Sequence, residues 1–166
     1  YKWVKIDGLR QAYIDEGPKD AEPILLLHGQ PAWSYLYRYM IPVLLEKGYR
    51  VIAMDHLGMG RSDKPVDVDY YTFDIHLSRL DRFIGELQLE NITVFLQDWG
   101  SVIGLYLAAT DLDQFNRIIL GNGGIPIVDE EYAFPEDMEK SNNEFHRMMN
   151  MIPARQMDFF DANGKS

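Results

Sequence analysis

Two short stretches of this chain carry residue types able to do chemistry together. The first is Gln97-Asp98-Trp99-Gly100, which follows the apolar run Val94-Phe95-Leu96 and precedes Ser101-Val102-Ile103-Gly104. A strand that passes into a helix through so short a turn forms a sharp elbow. Its apex side chain is pushed out at the carboxyl end of a parallel sheet. Where such an apex is serine it attacks carbonyls; here it is Asp98. A carboxylate is ionised at neutral pH without the help of a base, which suits attack on a saturated carbon bearing a leaving group. The start of the following helix favours that anion.

Displacement at carbon leaves an ester on Asp98, which water must then cleave with a general base and an oxyanion hole. The backbone N–H of Trp99, just past the apex, is one donor for such a hole. The other is the backbone N–H of Gln30, in the second stretch, His28-Gly29-Gln30-Pro31. The Trp99 indole N–H can only donate, so it suits a departing halide, and the Gln30 side-chain amide offers a second donor.

Other readings of these residues exist. An aspartate after a strand also serves as a helix N-cap, and a tryptophan also serves as core. His28 reads as a turn residue bonded to backbone, and His56, His76 and His146 as solvent-facing or structural. Gly58 and Gly60 fit no nucleotide fingerprint, and no Walker lysine follows them. What lifts Asp98 above a simple cap is the arrangement: His-Gly-x-Pro after one strand, Gln-Asp-Trp-Gly after a later one.

The elements that must position these residues are legible as a rhythm. Trp3 to Ile14 alternates loosely around Gly8 and predicts an antiparallel hairpin that closes one edge of a sheet. Pro23-Ile24-Leu25-Leu26-Leu27 is a continuous apolar strand, as in a sheet buried on both faces. Tyr35 to Glu46 predicts a helix stopped by Lys47-Gly48, and Arg50 to Met54 a strand leading to a glycine-punctuated loop, Asp55 to Pro65. A second helix starts at Thr72 or Phe73, with Ile75, Leu80, Phe83, Ile84 and Leu87 as its buried stripe. Asn91 to Leu96 is a strand, a helix follows the elbow to about Thr110, and Arg117 to Leu120 is one more strand. Alternating strands and helices imply an α/β fold with a mostly parallel, right-handed sheet. After Gly124 the rhythm stops. Residues 125–166, with Met138, Met148, Met149, Met151 and Met157, read as the beginning of a helical cap, and 1–124 as part of the core.

Composition narrows the function. The net charge of −10 and the lack of a basic cluster argue against nucleic acid. No apolar run approaches the roughly 18 residues of a membrane span. Without cysteine there is no disulfide scaffold or thiolate metal site. The chain opens on Tyr1 and closes on a loop-like Asn163-Gly164-Lys165-Ser166, so we expect a fragment of a longer protein. The expected location is the cytoplasm, with the periplasm left open.

Taken together, three segments resemble haloalkane dehalogenases. His28-Gly29-Gln30-Pro31-Ala32-Trp33-Ser34-Tyr35-Leu36-Tyr37-Arg38 is similar to the segment after their third strand, and Asp55 to Pro65 to their D-x-x-G-x-G-x-S-D-K-P loop. Gln97-Asp98-Trp99-Gly100-Ser101 resembles their nucleophile elbow. The resemblance runs from about Trp3 to Gly124 and implies an α/β-hydrolase fold whose C-terminal strands lie beyond this chain. It implies Asp98 as nucleophile and Trp99 as halide ligand, with Gln30 where relatives carry Asn or Glu. It further implies a small hydrophobic halogenated substrate, a halide ion as product, and neither metal nor organic cofactor, membrane nor nucleic-acid partner.

Departures from the pattern are informative. Leu96 is bulky where the elbow prefers a small residue. Asn122, an amide, stands where some relatives carry the catalytic acid, so the resemblance puts the acid after a later strand and the histidine base further still, both outside this chain. The tryptophans are Trp3, Trp33 and Trp99, so residues 124–166 supply no second halide-binding indole. Such a chain should not turn over alone. Two alternatives remain: epoxide hydrolysis on the same Asp98, for which Tyr132 is the one cap tyrosine available as proton donor, and a catalytically inactive hydrolase-like fold that binds a hydrophobic ligand.

Overall fold

The computed structural model describes residues 1–123. The expected cap, residues 125–166, and the boundary drawn at 124 lie outside the described residues, as do His146 and Tyr132.

Six strands form one sheet in the order β1-β2-β4-β3-β5-β6. The hairpin of β1 (Lys2–Ile6) and β2 (Leu9–Glu16) turns at Asp7-Gly8, where both residues have positive φ. That pair of conformations is the tight hairpin turn whose twist matches the strands it joins. The hairpin pairs antiparallel with β4 (Arg50–Met54) through β2, which places β1 at the sheet edge. The next strands, β3 (Pro23–Leu27), β5 (Ile92–Leu96) and β6 (Phe115–Leu120), run parallel to β4.

The central strands are almost wholly apolar, with Arg50 and Thr93 the exceptions in β4 and β5, because the sheet is covered on both faces. Leu25, Leu27, Ile52, Met54, Val94 and Leu96 point to one side, where they meet Leu80, Phe83 and Ile84 of α2 (Phe73–Glu86) and Ile103 and Leu107 of α3 (Trp99–Thr110). Ile24, Leu26, Val51 and Ala53 point to the other, against Tyr37 and Ile41. Burying each of the leucine, isoleucine, valine, methionine and phenylalanine side chains among them stabilises the fold by about 1.5–3 kcal/mol. Thr72 caps α2 by accepting a hydrogen bond from the Ile75 N–H at 3.2 Å, which fixes the start where the sequence puts it.

The helix predicted over 35–46 is two pieces, a 3₁₀ turn at Ser34–Tyr37 and α1 at Met40–Glu46. Pro42 explains the break. It has no N–H to bond to the preceding turn, so it is tolerated only where helical N–H groups have no partner, and α1 therefore starts just before it. The last strand begins at Phe115 rather than Arg117. In α2 the buried face includes His76 and Arg79 beside the predicted apolar stripe, whereas Ile75 and Leu87 are half-buried. Arg79 is tolerated there because its Nε donates to Gln11 Oε1 and its Nη1 to Ile6 O, both at 3.0 Å. Among the described residues, no helix is long and apolar enough to cross a membrane.

Candidate active site

Asp98 is the hinge between β5 and α3, and its backbone is strained. Its φ of 52° and ψ of −128° lie in a region that side-chain-bearing residues rarely adopt. The first turn of α3 and the segment after β6 hold it there. The Asp98 N–H donates to Asn122 O at 2.9 Å, and Asp98 O accepts from the Ser101 N–H at 2.8 Å and from the Ser101 hydroxyl at 2.5 Å. The residue occupies the N-cap position of α3, yet its side chain makes no capping bond. Instead the carboxylate turns across the sheet to the loop after β3, where Oδ1 accepts the Gln30 backbone N–H at 2.8 Å. The capping alternative therefore does not describe this side chain.

That crossing is possible because α3 and the β3 loop approach closely. A Cβ on Gly100 would stand 2.5 Å from both Leu27 O and His28 O, and a Cβ on Gly29 would overlap the Asp98 carboxylate. The bulk of Leu96, unusual for an elbow, is accommodated from the helix side, since its Cδ2 fills the place a Cβ on Gly104 would take. The Gly29 N–H donates to Gln97 Oε1 at 3.0 Å, a second tie between the two loops.

An open depression of about 370 Å³ lies against the elbow, lined by Asp98, Trp99, Val102, Asn122 and Gly123. Asp98 and Trp99 thus line one concavity, and the Gln30 N–H meets the carboxylate. Gln30 Oε1 is buried and takes no hydrogen bond among the described residues.

Behind the site lies a layer of polar groups whose roles the sequence left unread. His28 is fully buried, and burial pushes it down to about pH 4. His56, equally enclosed, is held well below the usual histidine range by the same cause and by the neighbouring His28. The rings stand edge to face, 4.6 Å between centroids. His56 is thus structural rather than solvent-facing, as is buried His76, and His28 does bond backbone, with Nδ1 2.8 Å from Gly29 O. Asp55, also buried, clamps two loops: Oδ1 accepts the Ser34 N–H and Oδ2 the Arg61 N–H, each at 2.8 Å. Burial raises its carboxyl, against the lowering effect of those bonds. Its place at the head of the Asp55–Pro65 loop was the one available signal.

With this geometry in hand, comparison with known proteins is decisive for the family. Residues 22–157 match the model of the alpha/beta hydrolase fold. The chain belongs to the α/β-hydrolase family. Within it, the chain is similar to the haloalkane dehalogenase of Psychrobacter cryohalolentis, with 51% identity over 123 residues that make up 74% of this chain and 41% of the relative. Similarity to the haloalkane dehalogenase of Mycobacterium marinum is 52% over 118 residues, 71% and 40% of the two chains. A tetrameric haloalkane dehalogenase from Paraglaciecola agarilytica superposes with a TM-score of 0.70 at 41% identity, over 87% of this chain and 50% of that one. An epoxide hydrolase structure from hot-environment metagenomes gives a TM-score of 0.71 at 29% identity, covering 81% and 46%. This α/β-hydrolase chain spans about two fifths of the length of the curated relatives it matches.

Proposed function

We propose that this chain carries the nucleophile half of a haloalkane dehalogenase. Asp98 is the attacking group. Because Oδ1 is engaged by the Gln30 N–H, Oδ2 is the oxygen that attacks the carbon bearing the halogen. The new O–C bond forms as the C–X bond breaks, and halide leaves with the bonding pair toward the Trp99 indole N–H and the Gln30 amide. Water then adds to the Asp98 carboxyl carbon. Negative charge grows on Oδ1, where the backbone N–H groups of Gln30 and Trp99 form the oxyanion hole. Collapse expels the alcohol and restores the carboxylate, so haloalkane and water give alcohol, halide and a proton. The resemblance assigns activation of that water to a histidine and an acid that follow later strands of the fold.

The observation that carries this reading is the strained Asp98 carboxylate, held by a backbone N–H at the rim of a depression shared with Trp99. The similarity to haloalkane dehalogenases at about half the residues supports it. Epoxide hydrolysis on the same carboxylate is the second reading, favoured by the metagenomic epoxide hydrolase likeness.

The test uses the complete gene product with a bromoalkane and with an epoxide of similar size. We expect bromide release and little diol. Asp98→Asn should cut bromide release by at least a thousandfold, since an amide is no nucleophile at neutral pH. Diol without bromide would transfer the assignment to epoxide hydrolysis.

A further inference from the structure

The Gly29–Gln30 peptide group faces two ways. Its N–H donates to Asp98 Oδ1 at 2.8 Å. Its carbonyl oxygen lies 2.8 Å from His28 Nδ1 and accepts the Ala32 N–H at 3.0 Å. A peptide group is planar, so whatever holds the oxygen also aims the N–H. The protonation state of His28 follows from its other nitrogen. His28 Nε2 accepts the His56 backbone N–H at 3.0 Å, and an amide N–H can only donate, so Nε2 carries a lone pair. In a neutral ring the proton must then sit on Nδ1, which donates to Gly29 O. The reciprocal contact obeys the same logic: His56 Nε2 lies 3.0 Å from His28 O, a pure acceptor, and therefore donates. Each histidine thus fixes the other's tautomer or backbone, and both rings are shut away from water.

We propose that His28 is a positioning residue for ester hydrolysis: its Nδ1–H locks the Gly29–Gln30 peptide so that the Gln30 N–H meets Asp98 Oδ1, and the His56 backbone N–H fixes the tautomer that makes this possible. The role rests on the dehalogenation reading above, and it separates the two steps of that reaction. Alkylation removes charge from the carboxylate, so it gains little from a donor on Oδ1. Hydrolysis of the ester builds charge on Oδ1 and depends on that donor. A misaimed Gln30 N–H should therefore slow the second step and spare the first.

Two substitutions of similar polarity divide the functions of the ring. Asn places its amide N–H near the position of Nδ1 and can still hold Gly29 O. Gln reaches the position of Nε2, facing the His56 N–H, and leaves Gly29 O without its ring donor. In the complete protein, rapid mixing with a bromoalkane, followed by mass measurement of the Asp98 peptide, reads both steps in one turnover. We expect His28→Gln to slow ester decay by about a hundredfold, comparable to loss of an oxyanion donor. Alkylated Asp98 should then accumulate, while the bromide burst stays within a few-fold. His28→Asn should restore ester decay to within about tenfold of the unsubstituted protein.

Equal slowing of both steps in both variants, or no accumulation of ester in His28→Gln, overturns the role while leaving dehalogenation intact. An unsubstituted protein that yields neither bromide nor adduct overturns the dehalogenation reading and the role with it. If the variants do not fold, nitrogen-15 spectra of the unsubstituted protein decide. A proton on His28 Nδ1 with bare Nε2 is expected, and the opposite tautomer overturns the role.

Discussion

At the scale of single residues, the site places its one critical carboxylate on a backbone that resists it. A positive φ of 52° with ψ of −128° suits glycine far better than a residue with a Cβ. The strain is held by bonds that do not involve the side chain: Asn122 O on one side, and the Ser101 N–H and hydroxyl on the other. It should therefore persist in any variant of Asp98 and be relieved only by glycine. Comparing Asp98→Gly with Asp98→Ala isolates the effect, since both lose the carboxylate and its bond to Gln30. Strain of this kind costs about 1–3 kcal/mol, while the greater freedom of unfolded glycine works the other way by about 0.4–1 kcal/mol. Asp98→Gly should be the more stable of the two by about 1 kcal/mol in urea unfolding of the complete protein. Equal stabilities, or a more stable alanine variant, would mean that the elbow stores no strain at this residue.

At the scale of elements, the elbow works because α3 lies hard against the end of β3. A Cβ on Gly100 would stand 2.5 Å from two backbone oxygens, which cannot swing aside as a side chain can. Gly85, in the exposed face of α2, has nothing within 4 Å of the same added atom. One substitution should thus act with opposite sign in two helices. Gly100→Ala should destabilise by about 1–3 kcal/mol or more as α3 is forced off the strand. Gly85→Ala should stabilise by about 1 kcal/mol through helix propensity. Thermal unfolding of the two variants checks the pair, and a neutral Gly100→Ala would show that the α3–β3 contact is soft. The elbow was legible in the sequence as a short turn with a charged apex, and β3 as an unbroken apolar run, whereas the closeness of α3 to β3 depends on tertiary packing that no local pattern shows. The break before α1 follows from Pro42, whereas the apolar spacing over 35–46 predicted one helix. What the sequence could not carry were pairings between distant polar residues. His28 with His56, Asp55 with Ser34, and Arg79 with Gln11 depend on how loops and helices are brought together, not on any local pattern.

At the scale of the whole molecule, the histidines sealed behind the site tie stability to pH. His28 is held down to about 4 by burial, and His56 is shifted in the same direction. Unfolding releases both rings to water, where a histidine titrates near 6.5. Between those limits the unfolded chain binds more protons than the folded one, so stability must fall as pH falls. At pH 5 the medium is about 1.5 units below the unfolded value, so His28 alone should account for a loss of about 2 kcal/mol relative to pH 7, and His56 adds to it. The carboxylates do not supply this loss. Asp15, ion-paired with Arg50, Lys2 and Lys19, is lowered below 3.8, so its contribution persists until the pH falls beneath that value. Asp55 is raised and acts in the opposite sense, favouring the fold where it is protonated. The decline above pH 5 is therefore a histidine signature. It should appear as a drop in the urea midpoint of the complete protein between pH 7 and pH 5, and it should be shallower in His28→Asn, which has lost one of the titrating rings. A midpoint that does not move over that range, with the same pH slope in His28→Asn, would mean that His28 and His56 are protonated, or open to water, in the folded protein. The tautomers that aim the Gln30 N–H at Asp98 would then fall with it.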